Sequence, residues 1–199
     1  MVSVVVPFRG AGGKHRLAPL SEPARAELAL AMLGDVLEAC VSVGATAVVS
    51  NDGPAAELAA ELGASIVADP GGGQGAAVAA ALALVTEGPA LVVNADLPLV
   101  RPADLLALLA NVPPGGLAYA PAADGTTNAL ALASPLLFAP LYGRGSAARF
   151  AAHAEQLGRV AVAAPLPGLV TDVDTLDDLD RVGARAGART RAALAVSAR

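Results

Sequence analysis

The chain contains no tryptophan and only 3% aromatic residues, so it lacks the stacking platforms that hold single-stranded nucleic acid. It is short of positive charge as well. Against 18 Asp and Glu stand 13 Lys and Arg, the net charge is −5, and no basic stripe precedes the C-terminal tail. This argues against a nucleic-acid polyanion as main partner, though not against a mononucleotide, which needs one or two cations and some backbone N–H groups. A single cysteine, Cys40, rules out an internal disulfide. In the apolar stretch 36–41 it reads as a small buried hydrophobe, which fits a reducing compartment. No apolar run approaches about 18 residues without Gly, Pro or charge, and the N-terminus has no charged segment followed by an apolar one. The expectation is a soluble, unexported, cytoplasmic protein. His15 and His153 sit in no Cys/His cluster, and no Ser/His/Asp arrangement stands out.

What is present is hydrophobic, 55% of 199 residues and much of it alanine, enough for one α/β domain with a proper core. Val2–Val6 reads as a buried strand ended by Pro7, and Phe8–Leu20 as a loop rich in glycine and cations. A helix follows, with Ser21 as N-cap and Pro23 in its first turn, running towards Ser42 and stopping before Gly44. Strands at Thr46–Ser50, at Ser65–Ala68 and up to Asn94 alternate with three helices. The first starts at Asn51-Asp52-Gly53-Pro54, the second is Ala-rich and ends about Thr86, and the third runs from about Pro102 to Asn111. This rhythm predicts an α/β fold, a three-layer α/β/α, Rossmann-like sandwich on a mostly parallel sheet. After Pro113-Pro114-Gly115-Gly116 the rhythm changes. Short strands are expected at Leu117–Pro121, Asn128–Ala133, Arg159–Ala163 and Leu169–Val173, with a helix at Ser146–Leu157. Asp174 is placed as N-cap of a last helix, and residues 187–199 as a tail that frays. No repeat or linker divides the chain.

The most informative stretch is Ala90-Leu91-Val92-Val93-Asn94-Ala95-Asp96-Leu97-Pro98. A continuous apolar run, as in strands buried on both faces of a parallel sheet, stops at one acid. Ligands of such sheets sit outside the carboxyl ends of the strands, so Asp96 stands where a metal-bound phosphate would be held. Asp172 and Asp174 follow a second apolar stretch and, spaced i, i+2, share one face if they lie on a strand. Asp96, Asp172 and Asp174 offer the oxygen ligands that Mg²⁺ takes. In nucleotidyl transfer that cation neutralises charge on the attacked α-phosphate and the leaving pyrophosphate. For Asp174 a simple N-cap is the alternative.

The first loop, Pro7-Phe8-Arg9-Gly10-Ala11-Gly12-Gly13-Lys14-His15-Arg16-Leu17, brings glycine N–H groups and the charges of Arg9, Lys14 and Arg16 to the end of the first strand, as phosphate binding requires. An ordinary surface loop is the alternative. It is not a Walker A loop, because His15 stands where Ser or Thr should follow the lysine, and it fails as G-x-G-x-x-G from Gly10. A second loop, Gly71-Gly72-Gly73-Gln74-Gly75-Ala76, formally matches G-x-G-x-x-A, with Asp96 20 residues beyond Ala76. It follows the third strand rather than the first, Pro70 intervenes, and Asp96 lies in a turn. Base or ribose contact by Gln74 and its neighbours fits better than dinucleotide binding. Asp124-Gly125-Thr126-Thr127-Asn128 and Tyr142-Gly143-Arg144-Gly145-Ser146 look like two halves of an acceptor site, the second opening a helix whose N–H groups suit an anion. A hairpin turn and an N-cap explain them equally well.

In their order and spacing these pieces resemble the 2-phospho-L-lactate guanylyltransferase family of coenzyme F420 biosynthesis, whose bacterial members include phosphoenolpyruvate guanylyltransferases. The resemblance runs from Val4-Val5-Val6-Pro7 through Lys14-His15-Arg16-Leu17 to Asp172-Val173-Asp174-Thr175. Its most specific parts are Ala95-Asp96-Leu97-Pro98, Gly125-Thr126-Thr127-Asn128-Ala129-Leu130 and Gly143-Arg144-Gly145-Ser146-Ala147-Ala148-Arg149. It implies one nucleotidyltransferase domain over residues 1–199, with GTP as donor and the phosphate of a three-carbon phospho-acid as acceptor. Phosphoenolpyruvate is favoured over 2-phospho-L-lactate, since the Ala-rich composition leans towards an actinobacterium-like source. Mg²⁺, as two ions, falls on Asp96, Asp172 and Asp174. The acceptor falls on Thr127, Gly143 and Ser146, to which Asn128 and Arg149 are added as neighbours. The nucleotide is assigned to Pro7, Arg9, Gly12, Lys14, Gln74, Gly75 and Asn94, and catalysis to Asp96, Lys14 and Arg16.

The first loop departs from the family's Val-Pro-x-Lys. Phe8-Arg9 and a glycine-rich insertion precede Lys14, and an arginine keeps the charge but not the geometry. The partners implied are small molecules, GTP and the phospho-acid, with a downstream F420-pathway transferase to take up an unstable product. A homodimer is compatible, and neither nucleic acid nor membrane is implied. A transferase for another base or acceptor, of the molybdopterin or sugar-nucleotide type, stays open, though no Leu-Ala-Gly-Gly follows the first strand. So does a non-catalytic nucleotide-binding module or a dinucleotide-dependent oxidoreductase.

Overall fold

The structure, a computed structural model, describes residues 1–10, 17 and 20–197. Strands β1 (Ser3–Pro7), β2 (Ala45–Val49), β3 (Ser65–Val67), β4 (Ala90–Val93), β5 (Leu117–Pro121), β6 (Thr127–Leu132) and β7 (Ala161–Ala163) form one sheet in the order β3-β2-β1-β4-β6-β5-β7. Neighbours are parallel except at β6, which runs against both β4 and β5. The helices are α1 (Glu22–Val41), α2 (Gly53–Glu61), α3 (Gln74–Leu82), α4 (Pro102–Ala110), α5 (Ser146–Gln156), α6 (Leu176–Val182) and α7 (Ala188–Ser197). Among the described residues no helix is long and apolar enough to cross a membrane.

Strand alternation sorts the core into two faces. Val4 and Val6 join Leu33 and Leu37 of α1 and Leu105 and Leu108 of α4, whereas Val5 joins Val78 of α3 and Phe150 of α5. Strand β4 is wholly buried, as its uninterrupted apolar run requires. The three-layer sandwich read from the sequence is therefore the fold. Helix starts follow local chemistry: Ser21 accepts from the amide of Ala24, and Asp52 from that of Ala55 at 2.9 Å. Cys40 is buried in the core, and burial pushes its thiol pKa up, which keeps it inert.

Four expectations are corrected. Leu169–Val173 is not a strand. The amide of Leu169 turns back to the Leu166 carbonyl, and that of Val173 reaches the Asp96 carbonyl at 3.0 Å. The stretch is apolar because Leu169 and Val173 are buried in the core, and its amides are spent on these local and loop bonds rather than on a ladder. The N-cap of α6 is Thr175, not Asp174. Its hydroxyl accepts from the Asp178 amide at 3.2 Å, while Asp178 Oδ2 accepts from the Thr175 amide at 2.9 Å. Helix α3 ends at Leu82, before Thr86, because the amides of Leu84 and Val85 bond the carbonyls of Ala81 and Leu82 in a tighter final turn.

The fourth correction is the tail. Residues 188–197 form α7, which packs on α1. Asp35 of α1, only 7% exposed, accepts from the amides of Arg189 at 3.0 Å and Thr190 at 2.9 Å, and so caps α7 from across the chain. Gly187 makes the approach feasible, since a Cβ there would lie 2.1 Å from Asp35 Cγ. The Arg189 guanidinium also donates to Glu38 at 2.8 Å and Glu61 at 3.1 Å.

Asp35→Ala leaves two amides at the start of α7 without their acceptor. The expected loss is about 2 kcal/mol of stability, read as a lower urea midpoint, with protease cutting first within residues 187–197. Unchanged midpoint and protection would show that Asp35 does not hold the helix.

Candidate active site

From β1 the chain winds to β2 and β3 on one side, and β4 lies on the other. Ligands of such sheets bind at this switch point, outside the carboxyl ends of the strands. A cleft of about 230 Å³ opens there. It is lined by Pro7, Phe8, Arg9 and Gly10 after β1, by Asp69 after β3, by Gln74 and Ala77 of α3, by Asn94, Ala95 and Asp96 after β4, and by Asp174.

Asp96, Asp172 and Asp174 each bring one carboxylate oxygen within 4.8 Å of the others. They meet although neither Asp172 nor Asp174 lies on a strand. The bond from the Val173 amide to the Asp96 carbonyl stitches the two segments together, with Leu97 and Val173 fully buried on either side. Asn128, 1% exposed at the start of β6, donates from Nδ2 to the Leu169 carbonyl at 3.0 Å and to Asp172 Oδ1 at 3.3 Å. Burial, and then the charge of Asp96, raise the Asp172 pKa above its ordinary value, and the Asn128 bond acts the other way. An all-oxygen set of crowded like charges fits a hard divalent cation.

The acceptor half read from the sequence is built from β6 and α5. Thr126 closes the turn, its amide and hydroxyl both donating to Asp124 Oδ1 at 2.9 and 2.6 Å. Thr127 points inward, where the Ser146 hydroxyl donates to its Oγ1 at 3.1 Å, both side chains buried. Asn94 Nδ2 donates to the Thr127 carbonyl at 3.3 Å, and Asn94 Oδ1 accepts from Gln74 Nε2 at 2.7 Å. An unbroken polar chain thus joins α3 to α5. Gly143 and Gly145 hold φ of +108° and +73°, which glycine adopts without strain.

Two of the first amides of α5 are already engaged, Ser146 with the Gly143 carbonyl and Ala147 with that of Gly125, so protein oxygens fill part of the anticipated anion cradle. Arg149 donates to the carbonyls of Leu141, Tyr142 and Arg144, fastening the 141–145 loop, and does not line the cleft. Phe138, Tyr142 and Phe150 pack together under that loop, with ring centroids 5.3 to 6.4 Å apart. Gly75 lies against Pro140, where a Cβ would come within 2.7 Å. Gly12, Lys14 and Arg16 lie outside the described residues. Asp69 lines the cleft without having stood out in the sequence. Its signal is an acid just past the end of a parallel strand.

Residues 2–184 match the family model described as Guanylyl transferase CofC like. The chain belongs to the CofC-like guanylyl transferase family. A relative from Nocardia farcinica named phosphoenolpyruvate guanylyltransferase is 39% identical over 195 residues, covering 91% of this chain and 84% of that one. A relative of the same name from Streptomyces coelicolor is 39% identical over 189 residues, covering 89% and 87%. A solved structure from Desulfovibrio desulfuricans G20, assigned as a nucleotide-diphospho-sugar transferase, superposes with a TM-score of 0.80 at 16% identity, covering 99% of this chain and 95% of that one. At that identity the likeness shows the fold alone. The chain is thus a CofC-like guanylyl transferase, a nucleotidyltransferase whose cleft and acidic cluster share the switch point of its sheet.

In this guanylyl transferase the Asp172 carboxylate works against the fold. The Asp172 pKa is raised on folding, so its ionised form lowers stability as pH climbs through the window above the ordinary carboxylate value. Asp172→Asn keeps an oxygen for Asn128 and removes one charge. Because the site is partly exposed, the metal-free variant should melt only slightly higher than the parent, by roughly 2 °C, and if the cluster holds a divalent cation the variant should respond less than the parent to added Mg²⁺. A lower melting point, or an undiminished response to Mg²⁺, would contradict the cluster's role.

Proposed function

We propose that this guanylyl transferase moves GMP from GTP to the phosphate of phosphoenolpyruvate, releasing pyrophosphate, as a step of coenzyme F420 biosynthesis. The observation that carries this reading is the three-carboxylate cluster beside the switch-point cleft, in a chain whose relatives of that name are 39% identical to it. An oxygen of the acceptor phosphate attacks the α-phosphorus of GTP in line. The new P–O bond forms as the bond to the bridging oxygen breaks, and pyrophosphate leaves with the electron pair. The acceptor phosphate is already anionic near neutral pH, so the chain needs no general base.

Asp96, Asp172 and Asp174 would hold Mg²⁺, as two ions, which would supply charge neutralisation at the α-phosphate and the leaving group. The remaining residues position the reactants, which is where most of the rate must come from. Thr127, Gly143 and Ser146 form the acceptor side. Arg9, with Lys14 and Arg16, meets the donor phosphates. Gln74 and Asn94, bonded to each other, stand between the two sides. The product is passed to a downstream transferase of the same pathway, and the substrates place the reaction in the cytoplasm.

The test is pyrophosphate release from GTP with Mg²⁺ and, separately, phosphoenolpyruvate, 2-phospho-L-lactate or 3-phospho-D-glycerate, with ATP and CTP as controls. Release is expected with GTP and phosphoenolpyruvate, and Asp96→Ala should cut it by about 10³-fold while leaving the fold intact. Release with another acceptor alone would replace phosphoenolpyruvate, and none from folded protein with any acceptor would sink the reading.

A further inference from the structure

The selection of guanine can be assigned to one side chain, an inference that rests on the proposed GTP donor. Guanine differs from adenine and cytosine in presenting two adjacent donors, N1–H and N2–H, on one edge. A carboxylate, with two oxygens and no hydrogens, is the side chain that matches such a pair.

The fold limits where that edge can lie. The acidic cluster sits past the end of β4, and the acceptor side occupies β6 and α5. The nucleoside must therefore extend to the other flank, over the ends of β1, β2 and β3. The cleft does extend that way, reaching Asp69. Among the described residues, its lining carboxylates are Asp69, Asp96 and Asp174, and the last two belong to the metal cluster. Asp69 follows β3, three strand spacings or roughly 14 Å from β4, about the reach of a nucleoside from its α-phosphate.

Asp69 is held ready for the task. Its amide donates to Asn51 Oδ1 at 3.1 Å, and its carbonyl accepts from Asn51 Nδ2 at 2.8 Å. Its Oδ1 accepts from the Gly71 amide at 2.8 Å, which fixes the carboxylate plane. Among the described residues its Oδ2 has Arg9 Nε as ion-pair partner, 3.9 Å away and beyond hydrogen-bond length. The Asp69 side chain is 12% exposed and that of Arg9 51%. A largely desolvated carboxylate with acceptor capacity left over therefore lines the cleft away from the metal cluster. We propose that Asp69 is the specificity-determining residue for the donor base, its carboxylate accepting from guanine N1–H and N2–H.

Asp69→Asn separates this role from a structural one. Asparagine keeps the oxygen that receives the Gly71 amide and replaces the other by a donor. Xanthine carries a carbonyl where guanine carries its amino group, so the donor pattern of the pair is inverted at that position. The experiment measures pyrophosphate release by the full chain with phosphoenolpyruvate, Mg²⁺ and each of GTP, ITP, XTP and ATP. The parent should prefer GTP over ITP, which lacks the amino group, by about 10-fold or more. In Asp69→Asn, kcat/KM for GTP should fall by about 10²-fold, and XTP should become the better donor.

A variant that keeps the parent's preference for GTP over XTP overturns the assignment. So does one that is folded, by its circular dichroism and melting curve, but inactive with both. A parent with no guanine preference overturns the GTP donor itself, and that result is read before any variant is made.

Discussion

Strand β6 runs against β4, with Ala129 opposite Val93, and this reversal brings the start of one strand to the end of the other. In a wholly parallel sheet, residues that begin a strand lie at the edge away from the ligand. Here Thr127 and Asn128 begin β6 at the edge where β1 and β4 end. The Asn94 amide bonds the Asn128 carbonyl at 2.9 Å, the Asn128 side chain reaches Asp172, and Thr127 receives the Ser146 hydroxyl. With β6 reversed, those two residues would stand roughly 10 to 17 Å from this edge, and neither the Thr127–Ser146 bond nor the support of Asp172 could form.

Three carboxylates with oxygens within 4.8 Å of one another are kept there by their backbone. The Val173 amide is bonded to the Asp96 carbonyl, and Val173 packs with Met32, Leu179 and Val182 in an apolar cluster that joins α1 to α6. Leu97 anchors the other segment in the main core. The three carboxylates are thus held near one another by hydrophobic burial on both sides, which keeps an all-oxygen set within reach of a divalent cation. Local consistency is given up at the site and recovered in the surrounding core, as functional sites commonly require.

The sheet was legible wherever its cause was local. An uninterrupted apolar run announced β4, and the turn residues on either side announced Leu117–Pro121 to the residue. Ser21 caps its helix through an amide three residues away. Legibility failed where the partner was distant. Leu169–Val173 has the apolar look of a strand, but its hydrogen bonds go to Leu166 and Asp96. The cap of α7 comes from Asp35, 154 residues before Arg189. The three clustered aspartates were visible as strand-end acids, and the structure groups them, but through the Val173–Asp96 bond rather than a shared strand face. Arg149 shows the same limit from the other side. Its charge is plain in the sequence, but the carbonyls of Leu141, Tyr142 and Arg144 that engage it are not. Asp69 looked like a loop residue until the sheet order placed it on the cleft.

The polar chain from Gln74 through Asn94 and Thr127 to Ser146 contains amides, a backbone carbonyl and hydroxyls, and no acid or base. Proton transfer through a carboxylate or imidazole has no place in it. Attack by a phosphate already anionic asks for none, and what it does ask for is a fixed separation between the acceptor oxygen and the α-phosphorus. Neutral hydrogen bonds between buried groups hold position over a wide pH range, because none of their members changes charge. The ionisable groups of the described cleft are placed apart from that chain, with Asp96 and Asp174 in the acidic cluster and Asp69 and Arg9 past the ends of β3 and β1. The neutral chain and the charged groups thus occupy different parts of the site, and Asn128, bonded to both Asp172 and the Asn94 amide, is where the two meet.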